Sequence, residues 1–453
     1  MIYKYAILFI AALLLIIFTD ISLLAIIGII LVAYVGYNVI TSYDDALPIG
    51  QIALLIGGIQ WIVSPIIAYH SSQVTYPMAV PENEYLLYTL ILYLPLFYGI
   101  FYYSSHKTYI IKKESLLTFC STHKKGIKIL VVIGFIASII QINIPSLLFI
   151  KVLIENLLYI GAVMLCFAFP KRTNVILVFF LGYLFIRSIM GGAFHDLMVW
   201  GIFILLSIFY LKGYTLKRRI CIIAVLLVAV STIQVIKPIY RSYTWWGGYK
   251  GSQIELFANL FAKSITGELD VQEGVGLSER LNQGWIISRI YKRIPDEQPY
   301  LGGKTIIEGV EATLVPRFIA PNKKGAGESS IDDFETFTGY RLNGKTSMGI
   351  SILGEAYGNF GLLFGAVFMF VWGAFIAKLV SWLHKLSVKT GYYYFFMPII
   401  CFDLIKAEIN FISVFNWTVK ALIFSFLVIF ILTKCIEKSN DFDILQVQAR
   451  SDQ

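Results

Sequence analysis

The sequence predicts an all-α, polytopic membrane protein with about twelve transmembrane helices and one large extracytoplasmic loop that carries amphipathic helices. Of its 453 residues, 58% are hydrophobic and 14% are charged, and the mean hydropathy is +0.74. Soluble domains have about 25% charged residues. Apolar runs of about 20 residues, enough to cross a hydrocarbon layer of ~30 Å, recur along the chain. Because backbone inside a bilayer must satisfy its own hydrogen bonds, these runs are predicted to be helices.

Twelve apolar segments are long enough to be spans. Their predicted limits are 3–19, 21–40, 50–69, 85–104, 129–148, 152–169, 173–190, 196–211, 220–236, 348–379, 391–409 and 411–433. No small-residue cleavage site separates the first two, so the first is interpreted as an uncleaved span rather than a signal peptide. The predicted organisation is nine spans within 1–236, an extracytoplasmic loop at 237–347, three spans within 348–434 and a cytoplasmic tail at 435–453.

Basic residues predict the orientation of the spans. The net charge is +9, and most of the excess lies in the connectors 107–128, 171–172, 212–219 and 378–389. Because cytoplasmic connectors are enriched in Lys and Arg, these segments and both termini are predicted to be cytoplasmic. The 70–84 loop has no Lys or Arg and is predicted to lie outside. The basic balance is therefore a topology signal, and no nucleic-acid partner is predicted.

One long polar interruption, 237–345, falls on the outer side by the same count. Its 14 basic and 13 acidic residues nearly cancel. Two stretches within it, GSQIELFANLFAKSITGEL (251–269) and LSERLNQGWIISRIYKRI (277–294), have apolar residues at i, i+3 and i+4. That spacing predicts two amphipathic helices, which either lie along the membrane surface or cap a cavity.

Motifs for metal, nucleotide or acyl-transfer chemistry are incomplete. The run Gly302-Gly303-Lys304-Thr305 resembles the end of a phosphate-binding loop, but Gln298 stands where the first glycine is required. The five cysteines contain no CxxC pair and the five histidines no HxxxH pair. No Gly-x-Ser-x-Gly nucleophile motif is present. The sequence therefore predicts no metal and no cofactor.

The tenth predicted span carries ionisable and polar residues at membrane depth, where they are costly and usually functional. Ser351, Glu355 and Asn359 are four residues apart and form one polar stripe, which is expected to face a wet cavity. An alternative is that Glu355 pairs with an arginine of the overlying loop. Glycines form a neighbouring smooth stripe, which lets another helix approach closely. They are Gly354, Gly358, Gly361 and Gly365.

Two other regions have charges near the membrane. Lys406, Glu408 and Lys420 interrupt the last two predicted spans, and an ion pair between Glu408 and Lys420 is one interpretation. The outer rim is predicted to hold Arg187, His195, Asp196, Lys237, Tyr240, Arg241, Arg280, Arg289, Lys292, Arg293 and Arg317. Singly, these are explained as surface or snorkelling residues. As a cluster they suit a diphosphate headgroup, because arginine forks bind phosphate bidentately.

The C-terminal half resembles the Wzy-type oligosaccharide repeat-unit polymerases, the O-antigen and capsule polymerase group. The similar parts are PYLGGKTIIEGVEATLVPRFIAPNKK (299–324), then FTGYRLNGKTSMGISILGEAYGNFGLLFGAVF, whose Gly-Glu-x-Tyr-x-Asn-Phe-Gly run begins at Gly354, and the element Lys406-Ala407-Glu408. The family often has Gly-Gly/Ser-x-Arg near the seventh and eighth spans. This chain has GGAFHD (191–196) there, so His195 or Arg187 would take the place of that arginine.

The resemblance implies glycosyl transfer on the outer face of a bacterial cytoplasmic membrane. The two substrates are oligosaccharides linked to polyprenyl (undecaprenyl) diphosphate, used for O-antigen, capsule or exopolysaccharide of the cell envelope. Implied partners are this lipid-linked oligosaccharide, membrane lipid, a chain-length regulator and a flippase of the same pathway. An O-antigen ligase-like transferase and a lipid-linked glycan flippase or transporter remain as alternatives.

The implied chemistry assigns roles to particular residues. The catalytic base is Glu355 or His195. The supporting residues are Tyr357, Asn359, Lys406 and Glu408, and the ligands of the diphosphate are Arg187, Arg241, Arg289, Arg293 and Arg317. Aromatic platforms for the glycan are expected at Trp245, Trp246 and Tyr249. Replacing Arg317 or Glu355 by alanine is expected to abolish long-chain glycan while the protein still inserts.

Overall fold

A computed structural model describes residues 21–42, 47–71, 75–105, 109–142, 144–266, 268–269, 281–315, 326–342, 348–436 and 447–449. Its helices are α1 Leu23–Ser42, α2 Ile49–Tyr69, α3 Glu82–Ser105, α4 Lys113–Thr122, α5 Lys124–Ile139, α6 Pro145–Ala168, α7 Thr173–Gly191, α8 His195–Lys212, α9 Leu216–Arg241, α10 Gln253–Thr266, α11 Gly284–Arg293, α12 Lys304–Leu314, α13 Ala326–Thr338, α14 Ser351–Lys389, α15 Tyr392–Ile400 and α16 Phe411–Ile431. Two short strands, β1 (Tyr109–Ile111) and β2 (Val447–Ala449), pair in antiparallel register, with Ile110 opposite Gln448.

Nine helices within the described ranges are long and apolar enough to cross a membrane. They are α1, α2, α3, α6, α7, α8, α9, α14 and α16. The prediction of a helical, multi-pass membrane protein is confirmed at this level. Each of these helices coincides with one of the predicted spans, whereas the predicted span 3–19 lies outside the described residues.

Two predicted spans take another form. The segment 129–148 is divided between α5, which ends at Ile139, and α6. Pro145 sets the start of α6, because proline disfavours helical backbone at the residue before it and is well tolerated in the first turn of a helix. The segment 391–409 is helical only as far as Ile400, and the chain then continues to Asn410 without regular helix.

Glycines bring neighbouring helices close together. A Cβ built on Gly99 of α3 would lie 2.5 Å from the Phe370 carbonyl oxygen of α14. A Cβ on Gly373 of α14 would lie equally close, 2.5 Å, to the Leu96 carbonyl oxygen of α3. The two backbones therefore touch where only glycine fits, which is a common way for membrane helices to associate.

The glycine stripe predicted in α14 is approached by loop helices at its first two glycines and by the spanning helix α3 at its last, Gly365. A Cβ on Gly354 would meet Ile290 of α11, and one on Gly358 would meet Phe337 of α13. At Gly361 the backbone has φ +68° and ψ −164°, which interrupts the helix. Glycine tolerates this conformation. α14 is therefore two helical segments, and the predicted stripe is divided at the break.

The two amphipathic stretches of the long loop form α10 and α11, and they pack differently. α11 lies on α2 and α14 and buries Ile286, Ile287 and Ile290. α10 lies on α7 and α9 through Phe257 and Leu260, which belong to a small second core at that end of the bundle.

Candidate functional site

Residues 401–410, named here the unwound segment, connect α15 to α16 and are mostly buried. Non-helical backbone at membrane depth needs partners from the protein for its polar groups. Trp61 Nε1 donates to the Ala407 carbonyl oxygen at 3.2 Å. The Ser351 amide donates to the Glu408 carbonyl oxygen at 3.3 Å, and Gly349 packs directly against that oxygen. The start of α14 and α2 therefore hold the unwound segment in place.

Glu355 is fully buried next to the end of the unwound segment. Thr305 Oγ1 donates to Glu355 Oε1 at 2.6 Å, and the Phe411 amide donates to Oε2 at 2.6 Å. Asn359 Nδ2 donates to Thr305 Oγ1 at 2.8 Å. Both carboxylate oxygens are engaged, so Glu355 joins α12, α14 and α16.

The polar stripe of α14, expected to face a wet cavity, is enclosed by protein. Ser351 and Glu355 are 0% exposed and Asn359 is 1% exposed. The alternative partner for Glu355, a loop arginine, is not its partner among the described residues, which are Thr305 and the Phe411 backbone. The stripe therefore anchors α12 of the long loop to the spanning helices.

A cavity of about 330 Å³ lies nearby, between α12 and α13. Thr305 and Asp333 line it, and Asn410 Nδ2 donates to Asp333 Oδ2 at 2.7 Å, so its floor is tied to the unwound segment. The lining contains one ammonium group, Lys304, and several carboxylates, which are Glu308, Asp332, Asp333 and Glu335. An acidic lining of this kind does not suit a diphosphate.

A second polar group, named here the charged cluster, gathers where α6, α7, α8 and the unwound segment meet. Its members are Lys151, Glu155, Arg187, His195, Asp196, Asp403 and Lys406. Arg187 Nη2 donates to Glu155 Oε2 at 2.6 Å, and Lys151 pairs with the same buried carboxylate. The left-handed backbone of Gly192 ends α7 and turns the chain into α8, which brings Arg187 and His195 to the same end.

The charged cluster is open to the surroundings at Arg187, His195 and Asp196, whereas the side chains of Lys406 and Asp403 are mostly buried. His195 Nδ1 lies 3.2 Å from Asp196 Oδ1, and Lys406 Nζ lies 2.5 Å from Asp403 Oδ1. Lys406 and Arg187 also attract the Asp196 carboxylate, so the pairs form one electrostatic group. The side chains of Arg187, His195 and Asp196 are 37%, 41% and 64% exposed. A ligand can therefore reach the Arg187 guanidinium and the His–Asp pair together.

The other predicted arginines lie in different places. Arg241 Nε donates to the Gly192 carbonyl oxygen at 2.8 Å, at the turn that precedes His195. Arg289 and Arg293 of α11 share Glu297, at 3.7 and 2.8 Å. Arg289 also donates to the carbonyl oxygen of Thr338 in α13. Arg317 lies outside the described residues. The structure thus brings Arg241 to the end that holds the charged cluster and gives Arg289 and Arg293 a different set of partners.

The supporting residues have structural partners. Tyr357 donates to the Ile294 carbonyl oxygen at 3.0 Å and packs against Tyr291, whose pKa burial raises well above its usual value. Glu408 accepts from Gln60 Nε2 at 3.3 Å. The ammonium of Lys420 lies 4.7 Å from the centre of the Phe149 ring. Glu408 therefore has a partner in α2, and Lys420 lies near an aromatic ring of α6.

The sequence alone assigned no role to several residues of these two groups. They are Gln60, Lys151, Glu155, Thr305, Asp333, Asp403 and Asn410. A signal existed for Lys151 and Glu155, which are four apart inside an apolar helix, and for Asp403 inside an apolar run. The contacts of Thr305 and Asn410 had no signal, because their partners are distant in sequence.

The family model described as "Domain of unknown function (DUF8712)" matches residues 72–446. The chain belongs to this family. The matched range includes Glu355, the charged cluster and the unwound segment. No curated protein and no solved structure matches the sequence. Within the described part of the chain, no three His, Cys, Asp or Glu side chains are grouped to hold a metal ion.

Proposed function

We propose that this DUF8712 chain is a metal-independent membrane glycosyltransferase that polymerises polyprenyl-diphosphate-linked oligosaccharide repeat units on the outer face of a bacterial cytoplasmic membrane. The observation that supports this most is the charged cluster, in which an exposed arginine, Arg187, lies near an exposed His–Asp pair at one end of apolar helices. A lipid-linked diphosphate has an anionic head and an apolar chain, so it fits such a place. The resemblance to Wzy-type polymerases supports the same activity.

In the proposed reaction, the hydroxyl of an acceptor sugar attacks the anomeric carbon of the donor. The bond from that carbon to the diphosphate oxygen breaks as the new glycosidic bond forms, and polyprenyl diphosphate leaves. Arg187 and Lys406 stabilise the departing charge. Arg187 has five N–H donors, and its contact with Glu155 uses only part of them. The donor carries its own leaving group, so no nucleotide is required.

The His–Asp pair is the proposed base. Asp196 contacts Nδ1 of His195 and orients the ring, so that Nε2 takes the proton of the acceptor hydroxyl. Glu355 is then a positioning residue. Because it holds the Phe411 amide, it fixes the end of the unwound segment, which carries Lys406. As a base, Glu355 would first have to lose its hydrogen bonds from Thr305 and Phe411.

The test is to incubate the purified protein in liposomes with polyprenyl-diphosphate oligosaccharide and to measure chain growth. The wild type is expected to produce a ladder of products. His195→Gln is expected to slow the reaction by about 10²–10⁴-fold, the usual contribution of a general base. The matched control is His70→Gln, because His70 pairs with Glu82 in another part of the chain. An unchanged rate in His195→Gln would remove this residue from the mechanism.

A lipid-linked glycan flippase or transporter is the second candidate. The unwound segment and the break at Gly361 support it, because transporters bind their substrates at discontinuous helices. An O-antigen ligase-like transferase would share the chemistry of the first proposal. The same assay separates the three: a ladder supports a polymerase, a single transfer to a different lipid supports a ligase, and movement without bond formation supports a transporter.

A further inference from the structure

The protein covers only part of the apolar surface of α10. Phe257 and Leu260 are buried against α7 and α9. At about 100° per residue, Ile254, Phe261 and Ile265 form a second stripe beside that buried face. These three side chains are exposed, Ile265 by 69%.

Polar residues occupy another side of the same helix. Glu255, Asn259 and Lys263 are spaced four apart and are exposed. A helix with an uncovered apolar stripe and a charged stripe is suited to lie in the plane of a membrane surface. α11 is different, because the protein covers its apolar face.

The end of α9 next to α10 carries a group of exposed aromatic rings. α9 continues as a π-helical turn to Trp246. The exposed rings are Tyr243, Trp245, Trp246 and Tyr249, and Trp246 is 58% exposed. Trp and Tyr are enriched where membrane meets water.

The length of α9 puts these rings at a suitable depth. Ile220 is the first apolar residue after Arg218 and Arg219, so it marks one edge of the hydrocarbon. A layer of ~30 Å takes about 20 helical residues, which ends near Tyr240. The rings at 243–249 then fall in the headgroup region. The apolar side chains at 225–228 are exposed, as a lipid-facing surface requires, and those between 229 and 241 are partly or fully buried.

We propose that α10 and the aromatic end of α9 form an interfacial anchor that binds the surface of a phospholipid bilayer. Ile254, Phe261 and Ile265 enter the upper acyl region, and the rings of Trp245 and Trp246 lie among the headgroups. The anchor holds the end of α9 and thereby Arg241, which stacks on Trp245 at 4.0 Å. This proposal differs from the expected glycan platform and does not depend on the glycosyltransferase.

The test compares two faces of α10 in the full-length protein. Ile265→Cys and Asn259→Cys are made in a background with Cys221 and Cys435 replaced by serine, and each is labelled with an environment-sensitive nitrobenzoxadiazole dye. The protein is placed in liposomes of phosphatidylcholine and phosphatidylglycerol. At position 265, we expect blue-shifted emission and quenching by a lipid spin-labelled near the headgroup. At position 259, we expect quenching by aqueous iodide.

Three results would overturn the anchor. Equal iodide quenching at both positions would put the apolar stripe in water. Protection of position 265 from both quenchers would mean that protein, such as a second copy, covers it. A label at Trp246→Cys that is shielded by added oligosaccharide and not quenched by the lipid would assign the rings to a glycan.

Discussion

Glu355 connects elements that are far apart in the sequence, since its partners Thr305 and Phe411 are 50 and 56 residues away. We expect Glu355→Ala to destabilise the protein strongly, because each buried donor left without an acceptor costs about 1–3 kcal/mol. Glu355→Gln retains one acceptor oxygen, so its stability should lie between that of Glu355→Ala and that of the wild type. The midpoint of thermal unfolding in detergent measures this order.

The control for this series is Glu308→Ala, an exposed glutamate of α12 that pairs with Lys304 at 3.9 Å. It should unfold like the wild type. If Glu355→Gln is as stable as the wild type but forms no glycan ladder, the positioning role is wrong and Glu355 acts on the substrate, as the sequence resemblance implies.

A substitution at Arg187 tests whether the guanidinium group of the charged cluster binds diphosphate. Arg187→Lys retains a positive charge for Glu155 but loses the planar fork that binds phosphate bidentately. We expect normal insertion and a transfer rate lower by about 10²–10³-fold, the usual effect of removing one donor to a developing anion. The control is Arg218→Lys, because Arg218 is exposed and lies at the start of α9, away from the charged cluster. A fully active Arg187→Lys would show that the fork does not bind diphosphate.

At the scale of elements, the contact of α3 with α14 depends on glycine. Gly99→Leu places a side chain where the Phe370 carbonyl oxygen already lies, so the helices must separate. Overpacking of this kind costs about 1–3 kcal/mol. The midpoint of thermal unfolding should fall. Gly182→Leu on α7 serves as the comparison, because nothing lies within 4 Å of that position; an equal shift in both variants would argue against a close helix contact.

Hydropathy could predict most spanning helices, because an apolar run of sufficient length has few other structures available in a bilayer. It failed where local backbone chemistry competes. Pro145 stands inside the segment 129–148 and marks the start of α6. Asp403 and Lys406 make the end of 391–409 polar. The mean hydropathy of the whole segment stays high, so an average over it does not show these two charges. A closer reading of proline and charge would have found both breaks.

The candidate site could be predicted only in part. Arg187, His195 and Lys406 are conspicuous as charges near membrane depth, and the structure brings them together. Their direct partners were not predictable, because Glu155 and Asp403 become relevant only when helices from different parts of the chain pack. The enclosure of Glu355 depends on α12, whose position over α14 leaves no periodic signal in the sequence.

At the scale of the whole molecule, the orientation in the membrane decides whether the charged cluster meets an outer-face substrate. The loop 237–347 is predicted to lie outside and the connector 107–128 inside. A membrane-impermeant maleimide should therefore label Gly327→Cys in intact cells, and Ser121→Cys only after permeabilisation. Both positions are exposed. The opposite labelling pattern would refute the outer-face polymerase.

The pairing of β1 with β2 constrains the path of the chain between them. Strands that share hydrogen bonds lie on one side of the bilayer, so the chain from Ile111 to Val447 must traverse it an even number of times. Of the nine long apolar helices in the described part of the chain, six lie in that interval: α6, α7, α8, α9, α14 and α16. Two incomplete elements remain, α5 and the pair formed by α15 and the unwound segment. Within the described residues, either both of them complete a traverse or neither does.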